Sequence, residues 1–148
     1  MNIDKLKKLA GIKKDERWKA GGIPYCIEDD VVYVCLVTPT DPAYGGDKPS
    51  VPKGNPDAGD TPESCARREV SEETGITSFV SVNKLMTEKI TGLDRTYEMH
   101  VFAMETRDRS KLRPDFEGIP EWYDIDTALN ICRRSHKIFV QKLADKLK

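Results

Sequence analysis

The sequence predicts an α/β fold in which a mixed β-sheet has helices on both of its sides. Three observations predict this class. Stretches rich in β-forming residues interleave with stretches of helical periodicity, an early pair of strands has the pattern of a hairpin, and helical patterns follow the last strand. Because no internal repeat, low-complexity tract or linker divides the chain, we expect a single domain that spans residues 1–148.

The first segment, residues 1–14, predicts a short basic N-terminal helix. Ile3, Leu6 and Leu9 recur at helical spacing, lysines occupy the opposite side, and Gly11 provides a stop. We expect the lysine face to be solvated, with contact to a phosphate-rich partner as the alternative.

Residues 21–38 predict a β-hairpin. Ile23 and Tyr25 alternate with other residue types in the first strand, and an acidic turn at residues 28–30 leads into a second strand rich in valine. The loop that follows contains Tyr44. We consider Tyr44 a candidate for stacking on a nucleobase, with simple anchoring of the loop as the alternative.

A helix is predicted over residues 62–74 by its two ends. Thr61 is a favoured N-cap, Pro62 occupies the first helical position, and Gly75 supplies a left-handed C-cap. Ala66 and Val70 form its apolar side, which we expect to pack on the sheet.

The second half of the chain predicts three more strands and a helical C-terminus. We expect the strands at residues 79–90, 96–104 and 119–123, and a helix that opens at Asp126. Both histidines are expected to be structural. His100 lies within a strand, and His136 lies between helical patterns, where a cap or an exposed position is the ordinary role.

The balance of charge argues against long-range electrostatic attraction of two classes of partner. The chain has 24 basic and 25 acidic residues and a formal net charge of −1, so no global field would recruit nucleic acid or an anionic membrane. The four cysteines are scattered, without C-x-x-C spacing, which argues against zinc and against a disulfide framework. No apolar run approaches membrane-spanning length, and we expect a cytoplasmic protein.

Three glutamates on the predicted helix form the candidate reaction centre. Glu69, Glu72 and Glu73 are three and four residues apart, so their carboxylates share one helical face and repel each other. A hard divalent cation would reverse that repulsion. The structural alternative, a solvated helix balanced by Arg67 and Arg68, gives no reason for the glycines around it, and we therefore predict a metal site.

Residues 54–76 resemble the signature of the Nudix hydrolase family, G-x5-E-x7-R-E-U-x-E-E-x-G-U, in which U is aliphatic. The matching residues are Gly54, Arg68, Glu69, Val70, Glu72, Glu73, Gly75 and Ile76. One position departs from it, because Asp60 stands where the family has glutamate; the preceding Pro52-Lys53 is also typical of members. The resemblance implies a Nudix-type α/β/α sandwich built around a mixed sheet.

The resemblance also implies the reaction: hydrolysis of a phosphoanhydride in a nucleoside diphosphate linked to another group X, with Mg²⁺ or Mn²⁺ as cofactor. It implies catalytic roles for Glu69, Glu72, Glu73 and Arg68, and metal ligands at Gly54, Glu69, Glu72 and Glu73. Arg68 would orient the glutamates through an ion pair with the first acidic position, and Asp60 is one methylene shorter than the usual glutamate there. We therefore expect a less precisely held loop.

Some family members recruit a further acid from outside the signature. Asp115, Glu117 and Glu121 are the candidates here, and Glu117 is our choice as an additional metal ligand. An ordinary loop position is the alternative for each of them. Which carboxylate acts as general base stays open.

The substrate is the least determined part of the prediction. We expect a small-molecule nucleotide, such as a dinucleoside polyphosphate or ADP-ribose, bound with the help of Lys53 and Tyr44. An RNA 5′ end is the first alternative, which would use basic residues such as Arg133, Arg134 and Lys137 if these lie near the cleft. A Nudix-like module that senses a nucleotide without cleaving it is the second, and a homodimer is left open.

Overall fold

The structure is a computed structural model that describes residues 18–41, 47–91, 95–114 and 118–148. Three predicted features lie outside these residues, namely the basic N-terminal helix, Tyr44, and the acids Asp115 and Glu117.

Within the described residues, six strands form one sheet. They are β1 (Trp18–Glu28), β2 (Val31–Pro39), β3 (Lys53–Gly54), β4 (Ser81–Thr91), β5 (Thr96–Glu105) and β6 (Gly118–Asp124). The order across the sheet is β4-β5-β1-β2-β6, and β3 pairs with the first part of β1. Since β1 and β5 run parallel while the other pairs are antiparallel, the sheet is mixed, as predicted.

Helices cover both faces of this sheet. They are α1 (Pro62–Thr74), α2 (Ile125–Ile131) and α3 (Lys137–Lys146), with a 3₁₀ turn at Arg134–His136 before α3. On β5, Val101 and Ala103 belong to the core under α2 and α3, whereas Phe102 and Met104 belong to a second core under α1. Side chains alternate across a strand, so these two cores lie on opposite faces and the predicted α/β/α sandwich is confirmed.

The predicted hairpin is present, with a two-residue turn. Asp29 and Asp30 have positive φ angles of 50° and 65°, and Glu28 pairs directly with Val31. Successive left-handed residues match the twist of the flanking strands, and aspartate tolerates this conformation better than most residues. The first strand begins at Trp18, three residues before its predicted start, because its N-terminal part pairs with β5.

Both ends of α1 are where the sequence predicts them. The Thr61 hydroxyl accepts a hydrogen bond from Ser64 N–H at 3.2 Å, and Ser64 Oγ accepts one from Thr61 N–H at 3.0 Å. Gly75 closes the helix with φ 82° and donates its N–H to Ser71 O. The buried residues Ala66 and Val70 face the sheet as expected.

The predicted start of α2 is wrong by one residue. The helix begins at Ile125, and Asp124 rather than Asp126 is its N-cap, with a side chain that accepts the Thr127 N–H at 3.0 Å. The reason is that β6 runs directly into the helix, so the cap falls on the last residue of the strand.

The prediction for His136 is right about its position in the helix and wrong about exposure. His136 is the N-cap residue of α3, but its side chain makes no capping hydrogen bond. The ring is 1% exposed, and its Nδ1 accepts a hydrogen bond from the Val51 N–H at 3.0 Å. Burial, together with the charges of Lys53, Arg133 and Lys19, lowers the pKa of His136 to about 3. The ring is therefore neutral at physiological pH, the form that can accept this bond.

The described helices include none that is both long and apolar enough to cross a membrane. The four cysteines, Cys26, Cys35, Cys65 and Cys132, are free and buried.

The C-cap of α1 provides a test of the fold with a matched control. An alanine at Gly75 would have to adopt a left-handed backbone conformation, and its Cβ would lie 2.8 Å from Arg113 Cβ. Gly59 has a similar backbone, with φ 83°, but a Cβ there would meet nothing within 4 Å. We expect Gly59→Ala to lower the free energy of unfolding by about 1 kcal/mol. Gly75→Ala should cost more, because it adds the clash to the same backbone strain. Urea denaturation measures both, and equal losses would show that Arg113 moves aside without cost.

Candidate active site

The short strand β3 lies unusually close to β1. Ala20 pairs with Gly54 and Gly21 with Lys53, and Gly22 N–H donates to Pro52 O at 3.2 Å. A Cβ at Gly21 would lie 2.1 Å from Pro52 O, so only glycine permits this approach. The sequence analysis did not predict β3, since two residues after a loop carry no strand periodicity.

The carboxylate of Glu69 packs against the backbone of β3. A Cβ at Gly54 would lie 2.1 Å from the Glu69 carboxyl carbon, in the space that the carboxylate occupies. The Glu69 side chain is only 17% exposed. From the next turn of α1 the Cys65 thiol donates to Gly54 O at 3.7 Å, which fixes the helix against the same strand. The signature glycine is therefore needed because it leaves room for a signature glutamate.

Arg68 connects the loop before α1 to the acidic residues of the helix. Its guanidinium donates to Asp60 Oδ2 at 2.5 Å and to Asn55 O at 3.1 Å. Its other acidic neighbours are Asp57 at 3.3 Å, Glu69 at 3.5 Å and Glu72 at 3.9 Å. The ion pair with the first acidic position is thus formed although aspartate is shorter than glutamate. Asp57, which the sequence analysis did not consider, supplies a second carboxylate from the same loop.

The hydrogen bonds of Asp60 keep its carboxylate ionised. Burial raises the pKa of this group, but Arg68, the Asp57 N–H and the Ser64 hydroxyl all donate to it. The donors outweigh burial and hold the pKa of Asp60 below its ordinary value. Charge-assisted hydrogen bonds to both carboxylate oxygens of Asp60 hold the loop, although aspartate is shorter than the usual glutamate. These bonds counteract the loss of order in the loop that the shorter side chain leads one to expect.

Lys53 lies at the boundary between the acids and other cations. Burial lowers the pKa of its ammonium, and Arg133 acts in the same direction, while Glu73 and Glu69 oppose them. The Oε2 atom of Glu73 is buried. Glu69 and Glu73, one helical turn apart, therefore both lie on the side of α1 that faces β3 and Lys53.

Glu72 is in a different environment from the other two glutamates. Its side chain is 57% exposed and lies beside Arg68. Among the described residues, no group of three or more His, Cys, Asp or Glu side chains is close enough together to hold a metal ion. The chemistry of the donors nevertheless fits a hard divalent cation, because carboxylate oxygens and the Gly54 carbonyl are the ligand types that Mg²⁺ prefers.

The structure resolves which of the predicted basic residues approach the site. Arg133 acts on Lys53 and lies near it, whereas Arg134 and Lys137 are exposed. Lys19 also acts on the buried His136. No sequence signal marks this lysine, because the pairing of β1 with β3 is known only from the structure.

Comparison with known families decides the assignment. A sequence model of the NUDIX domain matches residues 21–143. The chain belongs to the NUDIX family. This confirms the predicted family and enzyme class, a Nudix hydrolase acting on phosphoanhydrides. Nudix proteins generally use a divalent metal. A search of curated protein sequences gave no match.

Solved structures of Nudix proteins share the fold at low sequence identity. The C. elegans Ap4A hydrolase binary complex superimposes with a TM-score of 0.75 at 18% identity, over 88% of this chain and 96% of that one. The NUDIX domain of Shewanella oneidensis NrtR, complexed with ADP ribose, gives 0.78 at 13% identity over 100% of both chains. The Nudix hydrolase RenU from M. Smegmatis gives 0.72 at 16% identity over 88% and 85%.

A methyl group at Gly54 tests the contact between this glycine and Glu69. In Gly54→Ala the new Cβ occupies the position of the Glu69 carboxylate. Because a carboxylate at the end of a flexible side chain can rotate away, we expect stability to change by less than about 1 kcal/mol. Nucleotide hydrolysis should fall by about a hundredfold or more, the scale of a lost catalytic group. Chemical denaturation and steady-state kinetics measure the two effects, and full activity in this variant would contradict the need for the contact.

Replacement of Asp60 tests the ion pair with Arg68. The folded-state pKa of Asp60 is lowered, so its stabilisation is present above the unfolded pKa of about 4 and is lost as the pH falls through the folded value. We expect Asp60→Asn to lower the free energy of unfolding by about 1 kcal/mol at pH 7. The difference from the unmodified protein should shrink below about pH 4. Chemical denaturation of both proteins at pH 7 and below about pH 4 measures this difference in the free energy of unfolding. A difference that does not change with pH would mean that Asp60→Asn acts through packing and not through the ion pair.

Proposed function

We propose that this Nudix protein is a metal-dependent pyrophosphohydrolase that cleaves a phosphoanhydride in a nucleoside diphosphate linked to a second group X. The observation that carries the proposal is the position of Glu69, whose carboxylate occupies the space beside Gly54, with the buried Oε2 atom of Glu73 one helical turn away on α1. Carboxylates, the Gly54 carbonyl and the Lys53 ammonium thus belong to the region where β3 pairs with β1, and they are a suitable set of groups for binding a charged phosphate chain.

The metal in this proposal is Mg²⁺ or Mn²⁺. Glu69, Glu72, Glu73 and the Gly54 carbonyl are the residues that would hold it, and Glu117 remains a further predicted ligand. A bound divalent cation would neutralise phosphate charge and lower the pKa of a bound water. The burial of Glu73 Oε2 supports this role, because a bound cation would offset the cost of removing the carboxylate from water.

The protein's own groups would divide the remaining work. Lys53 would bind phosphate oxygens as a point charge, since it already lies near Glu69 and Glu73. Arg68 would orient the helix acids through the loop instead of contacting the phosphate, and its hydrogen bonds to Asp60 and Asn55 O support this role. A carboxylate of α1 would accept the proton of the attacking water, which typically contributes about a hundred- to ten-thousandfold.

The substrates that we propose are dinucleoside polyphosphates and ADP-ribose. The structures named above include an Ap4A hydrolase and a NUDIX domain with ADP ribose, and both share the fold of this chain. We also propose a cytoplasmic location, because the cysteines are free thiols, the state that a reducing compartment maintains.

A single glutamate substitution tests the proposed reaction. Glu73→Gln keeps the shape of the side chain but removes its charge, so kcat with Mg²⁺ should fall by about a hundredfold or more while folding is preserved. Glu63→Gln is the matched control on the same helix, since Glu63 is exposed and pairs with Arg67 at 3.0 Å. We expect the control to retain full activity.

The unmodified protein and both variants are incubated with a panel of nucleotides, with and without EDTA, and the products are identified by chromatography. Loss of activity on chelation and its return with Mg²⁺ are expected. Tight binding without turnover of any nucleotide would instead identify a non-catalytic sensor, and normal turnover in Glu73→Gln would remove this glutamate from the mechanism.

A further inference from the structure

The loop before α1 brings two aspartates to Arg68, where the signature has one glutamate. Asp60 occupies the signature position, and Asp57 lies three residues before it. Both carboxylates approach the same guanidinium nitrogen, because Arg68 Nη1 lies 2.5 Å from Asp60 Oδ2 and 3.3 Å from Asp57 Oδ2. The side chains of Asp57 and Arg68 are 34% and 27% exposed, so solvent only partly screens their ion pair.

Asp57 and Asp60 also belong to one turn of the backbone. The Asp60 N–H donates to Asp57 O at 3.0 Å, and the Asp57 N–H donates to Asp60 Oδ2 at 2.7 Å. Gly59, between them, has a φ of 83°, the conformation that the third residue of a type II turn requires. The turn therefore holds the two aspartates in a fixed relation to each other, with both carboxylates beside Arg68.

The carboxylate of Asp60 has partners besides Arg68. Its Oδ2 atom also accepts the Asp57 N–H, and its Oδ1 atom accepts the Ser64 hydroxyl at 2.7 Å. These bonds tie a side chain that is one methylene shorter than glutamate to its own turn and to the start of α1. Asp57 then gives the guanidinium a second acidic contact from the same loop.

The other nitrogens of the same guanidinium lie near the glutamates of α1. Arg68 Nη2 donates to Asn55 O at 3.1 Å and lies 3.5 Å from Glu69 Oε1, and Arg68 Nε lies 3.9 Å from Glu72 Oε1. A guanidinium is planar and rigid, so contacts at Nη1 fix the directions of Nη2 and Nε. The two loop aspartates therefore influence where Arg68 meets Glu69, whose carboxylate fills the space beside Gly54.

We propose that Asp57 is a further positioning residue for the reaction, and that Asp57 and Asp60 together replace the single glutamate of the signature. By holding Arg68 Nη1, the two aspartates keep the Glu69 carboxylate in the orientation that binds a divalent cation. The effect of Asp57 on turnover rests on the proposed function, whereas its effect on metal binding is measured without turnover.

Steady-state kinetics of four proteins test this replacement: the unmodified protein, Asp57→Asn, Asp60→Glu and the double variant. With Mg²⁺, Asp57→Asn alone should lower kcat about tenfold and leave KM within about twofold, because it disturbs a carboxylate and no group that contacts the nucleotide. In the Asp60→Glu background the longer side chain provides the partner of the signature, so the same substitution should lower kcat by less than about twofold.

Isothermal titration with Mn²⁺, in the absence of nucleotide, gives a readout that a purely structural role would not change. We expect Asp57→Asn to weaken Mn²⁺ binding about tenfold in the unmodified background and less than about twofold in the Asp60→Glu background. Glu63→Gln is the matched control, since it removes one exposed negative charge from the first turn of α1. It should change neither the Mn²⁺ affinity nor kcat.

Urea denaturation shows whether each variant is folded. If Asp57→Asn alone does not fold, the double variant decides, because the longer glutamate should restore folding, Mn²⁺ binding and turnover together. Failure of the double variant to fold would overturn the inference.

Two further results would overturn it. Equal losses from Asp57→Asn in the two backgrounds would show that Asp57 acts independently of Asp60. A loss of stability with unchanged kcat and unchanged Mn²⁺ affinity would show that Asp57 only supports the turn.

The same measurements separate this inference from the proposed function. If no nucleotide is hydrolysed but the Mn²⁺ affinities follow the expected pattern, the proposed function fails and the role of Asp57 in positioning Glu69 stands. If a nucleotide is hydrolysed and Asp57→Asn changes neither kcat nor Mn²⁺ affinity, the inference fails alone. Absence of Mn²⁺ binding to the unmodified protein would overturn both.

Discussion

The close approach of β3 to both β1 and α1 is the constraint on which the site depends. It requires two positions without side chains, Gly21 of β1 toward β3 and Gly54 of β3 toward Glu69. It also requires a partner for the chain that leads into β3, which the buried ring of His136 provides through Val51 N–H. Because these contacts come from three different elements, the two-residue strand has a defined position that its own hydrogen bonds would not supply.

Charges of both signs act on Lys53, the residue that pairs with Gly21 across β1 and β3. Burial lowers the pKa of its ammonium, Glu73 opposes this effect, Arg133 reinforces it and Glu69 opposes it. In the proposed function, a bound divalent cation would offset the burial of the Glu73 carboxylate, and Lys53 would contact phosphate oxygens.

Local chemistry explains the parts that were correctly predicted. Thr61 and Gly75 mark the ends of α1 because caps act within a few residues, and the two-residue turn at Asp29 and Asp30 is likewise short-range. The three signature glutamates also lie on one helix, as predicted, because α1 includes all of their positions. The prediction was wrong where one element runs directly into the next. At the start of α2, Asp124 is both the last residue of β6 and the N-cap of the helix.

The sequence by itself determined the helix and its caps, the hairpin, the layered class and the acidic signature, since each depends on residues that are near each other in the chain. Only the tertiary structure decided that His136 is buried and that Glu72 is exposed while Glu69 contacts Gly54. These features depend on contacts between residues that are distant in the chain, such as the 85 positions between Val51 and His136. The pattern of residues along a single strand or helix cannot predict such a contact, because the contact forms only when distant parts of the chain pack together.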